Sequence, residues 1–401
     1  MENIEEKANK SLTETSRALL NVEDYHQQAK QVLPQMIYDF YSTGSDDQLT
    51  LNDNLQGFRR LKLRPKILID VSSHSTENSI NCQTQLLNST TTISFPCIIA
   101  PTALHRLANN EHGELATVRA AVACSTIMCV STTASTRMEL IAEEHRRYIK
   151  THYPQSTSQL WYQLYVLKNR QHSQKLIERA EKCGYKALVL TVDHCHLGNR
   201  ECDVRNNFSL PNGIQTENLI DDHDYDGEFA KAYRNTVPID SSLSWKDLKW
   251  IQSITSLPLI IKGIIHPDDA REAIKQGIQG IIVSNHGGRQ LDTCLSTIDA
   301  LPDIMNAIRN EKHKIDVYID GGIRRGTDIL KAVALGAKAV LIGRPILWGL
   351  AVNGAQGAQN VMEILKKEFE LAMMLCGCRT IEDIIKNDLV VMNNRNNQSK
   401  L

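Results

Sequence analysis

Residues 280–292 run Gly280-Ile281-Ile282-Val283-Ser284-Asn285-His286-Gly287-Gly288-Arg289-Gln290-Leu291-Asp292. The first four are small or apolar, as in a strand buried on both faces. The chain then breaks into a polar glycine turn. His286 and Arg289 stand three residues apart in that turn, a base beside a cation able to hold an anionic substrate.

The same strand-then-polar-end pattern recurs on either side. The apolar runs are 96–102, 126–132, 160–166, 187–193, 258–263, 280–285, 316–321 and 339–343. Helical patterns lie between several of them, at 111–124, 171–183, 244–255, 267–276, 327–335 and 358–375, with Gly184, Gly277 and Gly336 placed to end three. Eight strands alternating with helices predict a (β/α)8 TIM barrel, an α/β fold. A doubly wound open sheet is the alternative.

Residues 1–20 are charged and poor in aromatics and read as a mobile N-terminal extension. A helical pattern from Val22 to Ser42 contains Pro34, and short strands are expected at 66–71 and around Ile93. A single barrel domain is expected over 21–390. The polar link 206–242 after the fourth strand is read as a lid loop, and 391–401 as a C-terminal tail ending Ser399-Lys400-Leu401. That tripeptide reads as a peroxisomal matrix address taken by an import receptor.

Bulk composition excludes several classes. With 401 residues, 42% hydrophobic and 23% charged, the chain has an ordinary globular balance. A net charge of −1 gives no basic surface for nucleic acid or anionic membrane. No stretch approaches eighteen apolar residues, so no spanning helix is expected. The ten cysteines show no CxxC spacing with partnering ligands. His194-Cys195-His196 lacks an evident third ligand and reads as structural or lid-contacting, so no metal is expected.

Every strand run ends in polar residues: Thr102; Ser131; Gln163 and Tyr165; Thr191 and Asp193; Lys262; Ser284 and His286; Asp320 with Gly322 and Arg324; Gly343 with Arg344. Barrel enzymes place their chemistry at this face. Glycine followed by arginine at the last two ends suits a phosphate.

The segment Ser284 to Asp292 resembles the active-site signature of the FMN-dependent 2-hydroxy-acid oxidases and dehydrogenases, the glycolate oxidase family. Ala100-Pro101-Thr102, Gln163-Leu164-Tyr165, Leu190-Thr191-Val192-Asp193, Lys262-Gly263, Asp320-Gly321-Gly322 and Ile342-Gly343-Arg344-Pro345 extend the likeness from about Val22 to Val390. The resemblance implies oxidation of a 2-hydroxy acid to a 2-oxo acid by FMN, reoxidation by O2 to hydrogen peroxide, and a homo-oligomer. It implies His286 as base, Asp193 as its orienting partner, Arg289 as carboxylate clamp and Tyr165 at the substrate hydroxyl. Lys262 is implied at the flavin N1/O2 edge, and Thr102, Ser131, Gln163 and Thr191 around the isoalloxazine. Ser284 is implied on the ribityl side, with Asp320, Gly322, Arg324, Gly343 and Arg344 holding ribityl and phosphate. Arg200 resembles a second arginine at the substrate mouth.

Two positions depart from the family's short-chain members. Phe40 stands where a tyrosine is common, and Thr133 where glycolate enzymes carry a tryptophan. Both departures imply a preference for longer 2-hydroxy acids over glycolate. A glycolate or short-chain oxidase and a non-catalytic flavin-binding paralogue are the alternatives.

Overall fold

A computed structural model of the protein describes residues 18–72, 80–219 and 238–392. Most of the N-terminal extension, residues 220–237 of the expected lid and the Ser399-Lys400-Leu401 tail lie outside the described residues.

Eight parallel strands close a barrel: β1 (Cys97–Ile99), β2 (Ile127–Val130), β3 (Gln159–Leu164), β4 (Leu188–Thr191), β5 (Leu259–Ile264), β6 (Gly280–Val283), β7 (Asp316–Asp320) and β8 (Ala339–Ile342). β8 pairs with β1 to complete the ring. The strands read as continuous apolar runs because both faces are covered. Ile98, Cys129, Trp161, Val189, Ile260, Ile282 and Tyr318 fill the interior, while Leu188, Leu190, Ile261 and Ile319 pack outward under the helices. At the N-terminal end a hairpin, Thr84–Leu86 paired with Thr91–Ile93, places Leu86, Leu87 and Ile93 against that interior. The barrel is thus a packed core open to chemistry at one end.

The outer helices are α1 (Gly113–Ala123), α2 (Met138–His152), α3 (Arg170–Cys183), α4 (Leu248–Ile254), α5 (Pro267–Lys275), α6 (Thr297–Ile308), α7 (Gly326–Ala334) and α8 (Arg344–Leu375). Among the described residues, no helix is long and apolar enough to cross a membrane.

The structure corrects several expectations. The 22–42 pattern is two helices, Val22–Val32 and Gln35–Ser42. Pro34 lacks the N–H needed to continue the first and pushes Leu33 to an extended conformation. The expected helix 358–375 lies in the second limb of Arg344–Leu375; an unanticipated first limb starts at Arg344, where Pro345 is compatible with a first turn. Asn353 and Gly354 then leave helical geometry, so the pattern from 358 was only its second half. Residues 66–71 form no strand; instead Leu61–Leu63 pairs with Val390–Met392. Leu49–Arg60, α2 and α6 were not anticipated. Leu49–Arg60 carries Gly57, α6 carries Pro302, and α2 has a narrow apolar stripe.

Candidate active site

The mouth holds a cavity of about 570 Å³. Phe40, Thr102, Ser131, Thr133, Gln163, Tyr165, Thr191, Arg200, Lys262, His286, Arg289, Asp320, Gly322, Arg324, Gly343 and Arg344 all line it. The strand ends therefore bring together every anticipated residue except Asp193 and Ser284, which stand directly behind the wall.

The turn after β6 carries three successive positive-φ residues, His286 (58°), Gly287 (65°) and Gly288 (73°). A left-handed non-glycine is costly and marks a constrained functional turn. The Ser284 hydroxyl accepts from the His286 amide at 3.1 Å and from Lys262 Nζ at 2.9 Å. This serine thereby fixes both the loop and the lysine. Asn285 exchanges amide hydrogen bonds with Asn54 at 2.9 and 2.8 Å, pinning the turn to helix Leu49–Arg60.

His286 Nδ1 lies 2.8 Å from Asp193 Oδ1. Its Nε2 faces the cavity, 3.4 Å from the Tyr165 hydroxyl. Burial holds the imidazole below its ordinary 6.5, with Lys262 and Arg200 adding to the depression and Asp193 opposing it. Burial alone would raise the Asp193 carboxyl, but His286 and then Lys262 outweigh it and keep it anionic. Gly263 is what lets Asp193 lie this close: a Cβ there would meet Asp193 Cβ at 2.7 Å. Lys262, buried, sits 3.3 Å from Asp320; burial works against its charge, yet Asp320 and Asp193 hold its pKa above the usual lysine value.

Arginines 200, 289, 324 and 344 converge on the same cavity. Arg289 donates to the carbonyls of Phe40 at 2.6 Å and Thr43 at 3.1 Å, with its guanidinium 5.2 Å above the Phe40 ring. Arg344 donates to the carbonyls of Tyr41, Gly287 and Thr43. Burial, then Arg289, Arg324 and Arg200, depress the Arg344 pKa well below normal. Such crowding of cations is relieved by bound anions.

One aromatic partner beside the pocket was not singled out from the sequence. Phe208, from the link after β4, stacks on Phe40 with ring centroids 4.4 Å apart and planes 7° apart. His194 faces the cavity, its ring 5.0 Å from Tyr165 and 5.5 Å from His286. Thr133 is buried with its hydroxyl 3.0 Å from Ser131 Oγ. Among the described residues no cluster of three potential metal ligands occurs.

Fold and mouth together define a (β/α)8-barrel enzyme. Over residues 29–391 the chain matches the model for FMN-dependent dehydrogenases, and it belongs to that family. It is 44% identical to a peroxisomal (S)-2-hydroxyacid oxidase of Arabidopsis thaliana, covering 94% of this chain and 98% of that one. Identity to 2-hydroxyacid oxidase 1 of Homo sapiens is 45%, covering 92% and 95%. Among solved structures, mandelate oxidase with benzoyl-formic acid superposes with a TM-score of 0.80 at 33% identity, covering 94% of this chain and 99% of that one.

The cavity fits the FMN that the family uses. Gln163 Nε2, Thr191 Oγ1 and Asp320 Oδ1 are buried without a hydrogen-bond partner in the protein, and all three residues line the cavity. Buried polar atoms demand partners, and an amide, a hydroxyl and a carboxylate suit a polar ring edge and a hydroxylated chain. Gly322 and Gly343 present bare backbone to the cavity wall, and the arginines supply charge for a phosphate.

Proposed function

We propose that the protein oxidises a 2-hydroxy acid to the 2-oxo acid, with O2 as final acceptor and hydrogen peroxide as second product. The His286–Asp193 pair at 2.8 Å inside an arginine-lined cavity carries this reading. Bound FMN supplies the two-electron acceptor. Gln163, Thr191, Ser131 and Thr102 would hold its ring, Lys262 its electron-rich edge, and Asp320, Gly322, Arg324, Gly343 and Arg344 its ribityl phosphate.

Arg289 and Arg200 bind the substrate carboxylate. Tyr165 donates to the 2-hydroxyl oxygen, and neutral His286 takes a proton at Nε2. Asp193 holds the tautomer with the proton on Nδ1 and stabilises the imidazolium that results. Purification should give a yellow protein that releases peroxide on a 2-hydroxy acid. A colourless protein that refuses FMN, or a yellow one with no turnover, would overturn the reading.

The acid limb of kcat/KM follows from His286. Only the neutral ring accepts the proton, so activity rises with pH through the depressed value, and the midpoint lies below 6.5. Asp193→Asn removes the group that raises this value, so the limb moves lower while the rate falls. A pH profile with its midpoint above 6.5 counts against His286 as base.

Phe40 and Thr133, both in the cavity wall, favour longer substrates over glycolate. Phe40 offers a stacked ring and no hydroxyl to a carboxylate, and Thr133 occupies far less room than an indole. Phe40→Tyr combined with Thr133→Trp should raise kcat/KM for glycolate roughly ten- to hundredfold, the worth of one hydrogen bond to a charged group. A wild-type preference for glycolate over a medium-chain acid would defeat this assignment. The Ser399-Lys400-Leu401 ending and the peroxisomal name of the Arabidopsis thaliana relative support a peroxisomal location, and family likeness supports a homo-oligomer.

A further inference from the structure

A second cavity, about 290 Å³, lies beside the first. Its wall comes from the outward faces of β4 and β5 and from the chain leading into α4: Leu190, Ile261, Ile264, Leu243, Trp245 and Leu248. Alternation along each strand explains its position. Val189 and Ile260 fill the barrel interior, so Leu190 and Ile261 face the helix layer. The two cavities share Thr191, His194, Cys195 and Ile239 as a common wall. Within that wall, the His194 ring stands 5.5 Å from that of His286. Its Nδ1 is buried with no hydrogen-bond partner, and burial, helped by His286 and Arg200, pushes the imidazole down to about 3. It is a neutral partition at neutral pH, with no ion pair to break when it turns.

We propose that this second cavity is the tail pocket for an unbranched aliphatic 2-hydroxy acid, entered past His194 and Ile239. The proposal rests on the 2-hydroxy-acid oxidase reading and names its substrate class. With the carboxylate on Arg289 and C2 at His286, a short acid stays in the first cavity, while a longer chain reaches the shared wall. The pocket beyond is walled mainly by aliphatic and indole groups, which favour methylenes over water. Asp240 and Asp269 also line it; Asp240 is paired with Arg170 at 2.7 Å, so Asp269 is the charge that repels a terminal carboxylate and favours monocarboxylic over dicarboxylic acids. Burying each methylene is worth about 0.8 kcal/mol, or about fourfold in kcat/KM.

The test uses the full-length FMN-loaded enzyme with 2-hydroxybutanoate, 2-hydroxyhexanoate and 2-hydroxyoctanoate, read by peroxide release. Wild type should gain about fourfold per added methylene. Leu243→Trp, which fills the second cavity from outside the catalytic cavity, should leave the butanoate value unchanged and flatten the rise. Trp245→Ala should extend the rise to longer chains, and it keeps the test alive if Leu243→Trp does not fold. Titrating the corresponding 2-oxo acids against the flavin absorbance should reproduce the same order in binding. Turnover of butanoate with no gain at hexanoate or octanoate, or an equal loss on all three acids in Leu243→Trp, would overturn the tail pocket while sparing the oxidase reading. No turnover of any of the three would overturn both.

Discussion

His286→Asn is expected to lower kcat on every accepted 2-hydroxy acid by about 10²- to 10⁴-fold, the usual contribution of a positioned general base. Asparagine retains a donor toward Asp193 and a similar reach, but has no nitrogen that accepts a proton. The Asp193 carboxylate then loses the cation that forms beside it during the reaction, so the loss falls on kcat more than on KM. FMN content should be unchanged, because Lys262 and the cradle residues of β7 and β8 are untouched. Rapid-mixing measurement of flavin bleaching under substrate isolates this step from reoxidation. A loss below tenfold would remove His286 from the role of base.

Gly322→Ala is expected to strip the protein of FMN. Gly322 has φ of 84°, and a Cβ there would stand 2.0 Å from the Asn54 carbonyl oxygen. The left-handed conformation alone costs an alanine on the order of 1–3 kcal/mol. The clash adds to it by pushing helix Leu49–Arg60 away, and with it Asn54, the partner of Asn285. The variant should purify with little flavin and melt at a lower temperature. Added FMN should recover part of the lost Tm in proportion to the logarithm of its concentration, as binding linkage requires. Full flavin content and an unshifted Tm would show that this backbone position does not shape the cradle.

The barrel was legible because its strands are short, continuously apolar and punctuated by polar ends, a pattern that depends on neighbours in sequence. The Asp193–His286 pair was legible for the same reason: each residue closes a strand run. What stayed hidden depends on contacts between distant parts of the chain. The Asn54–Asn285 amide pair joins positions 231 apart, and neither asparagine carries a local signal of burial. Phe208 looks like any aromatic in a polar link until Phe40 is found stacked on it. Ser284 sits at a strand end like its neighbours, yet its hydroxyl oxygen accepts from both Lys262 and the His286 amide. The helices that escaped notice contain Gly57 or Pro302 or are dominated by charge, and tertiary packing overrode those local preferences.

Arg289 and Arg344 both spend guanidinium nitrogens on carbonyls between Phe40 and Thr43. The segment before the barrel is thereby the counter-dipole that seats the two arginines proposed to meet substrate and cofactor. A trimmed protein starting at β1 would keep all eight strands and still leave those cations aimed at nothing. For anyone redesigning this scaffold, the smallest working unit includes the helix at 35–42, and grafting the eight strand-end loops onto another barrel would transfer the residues without their aim.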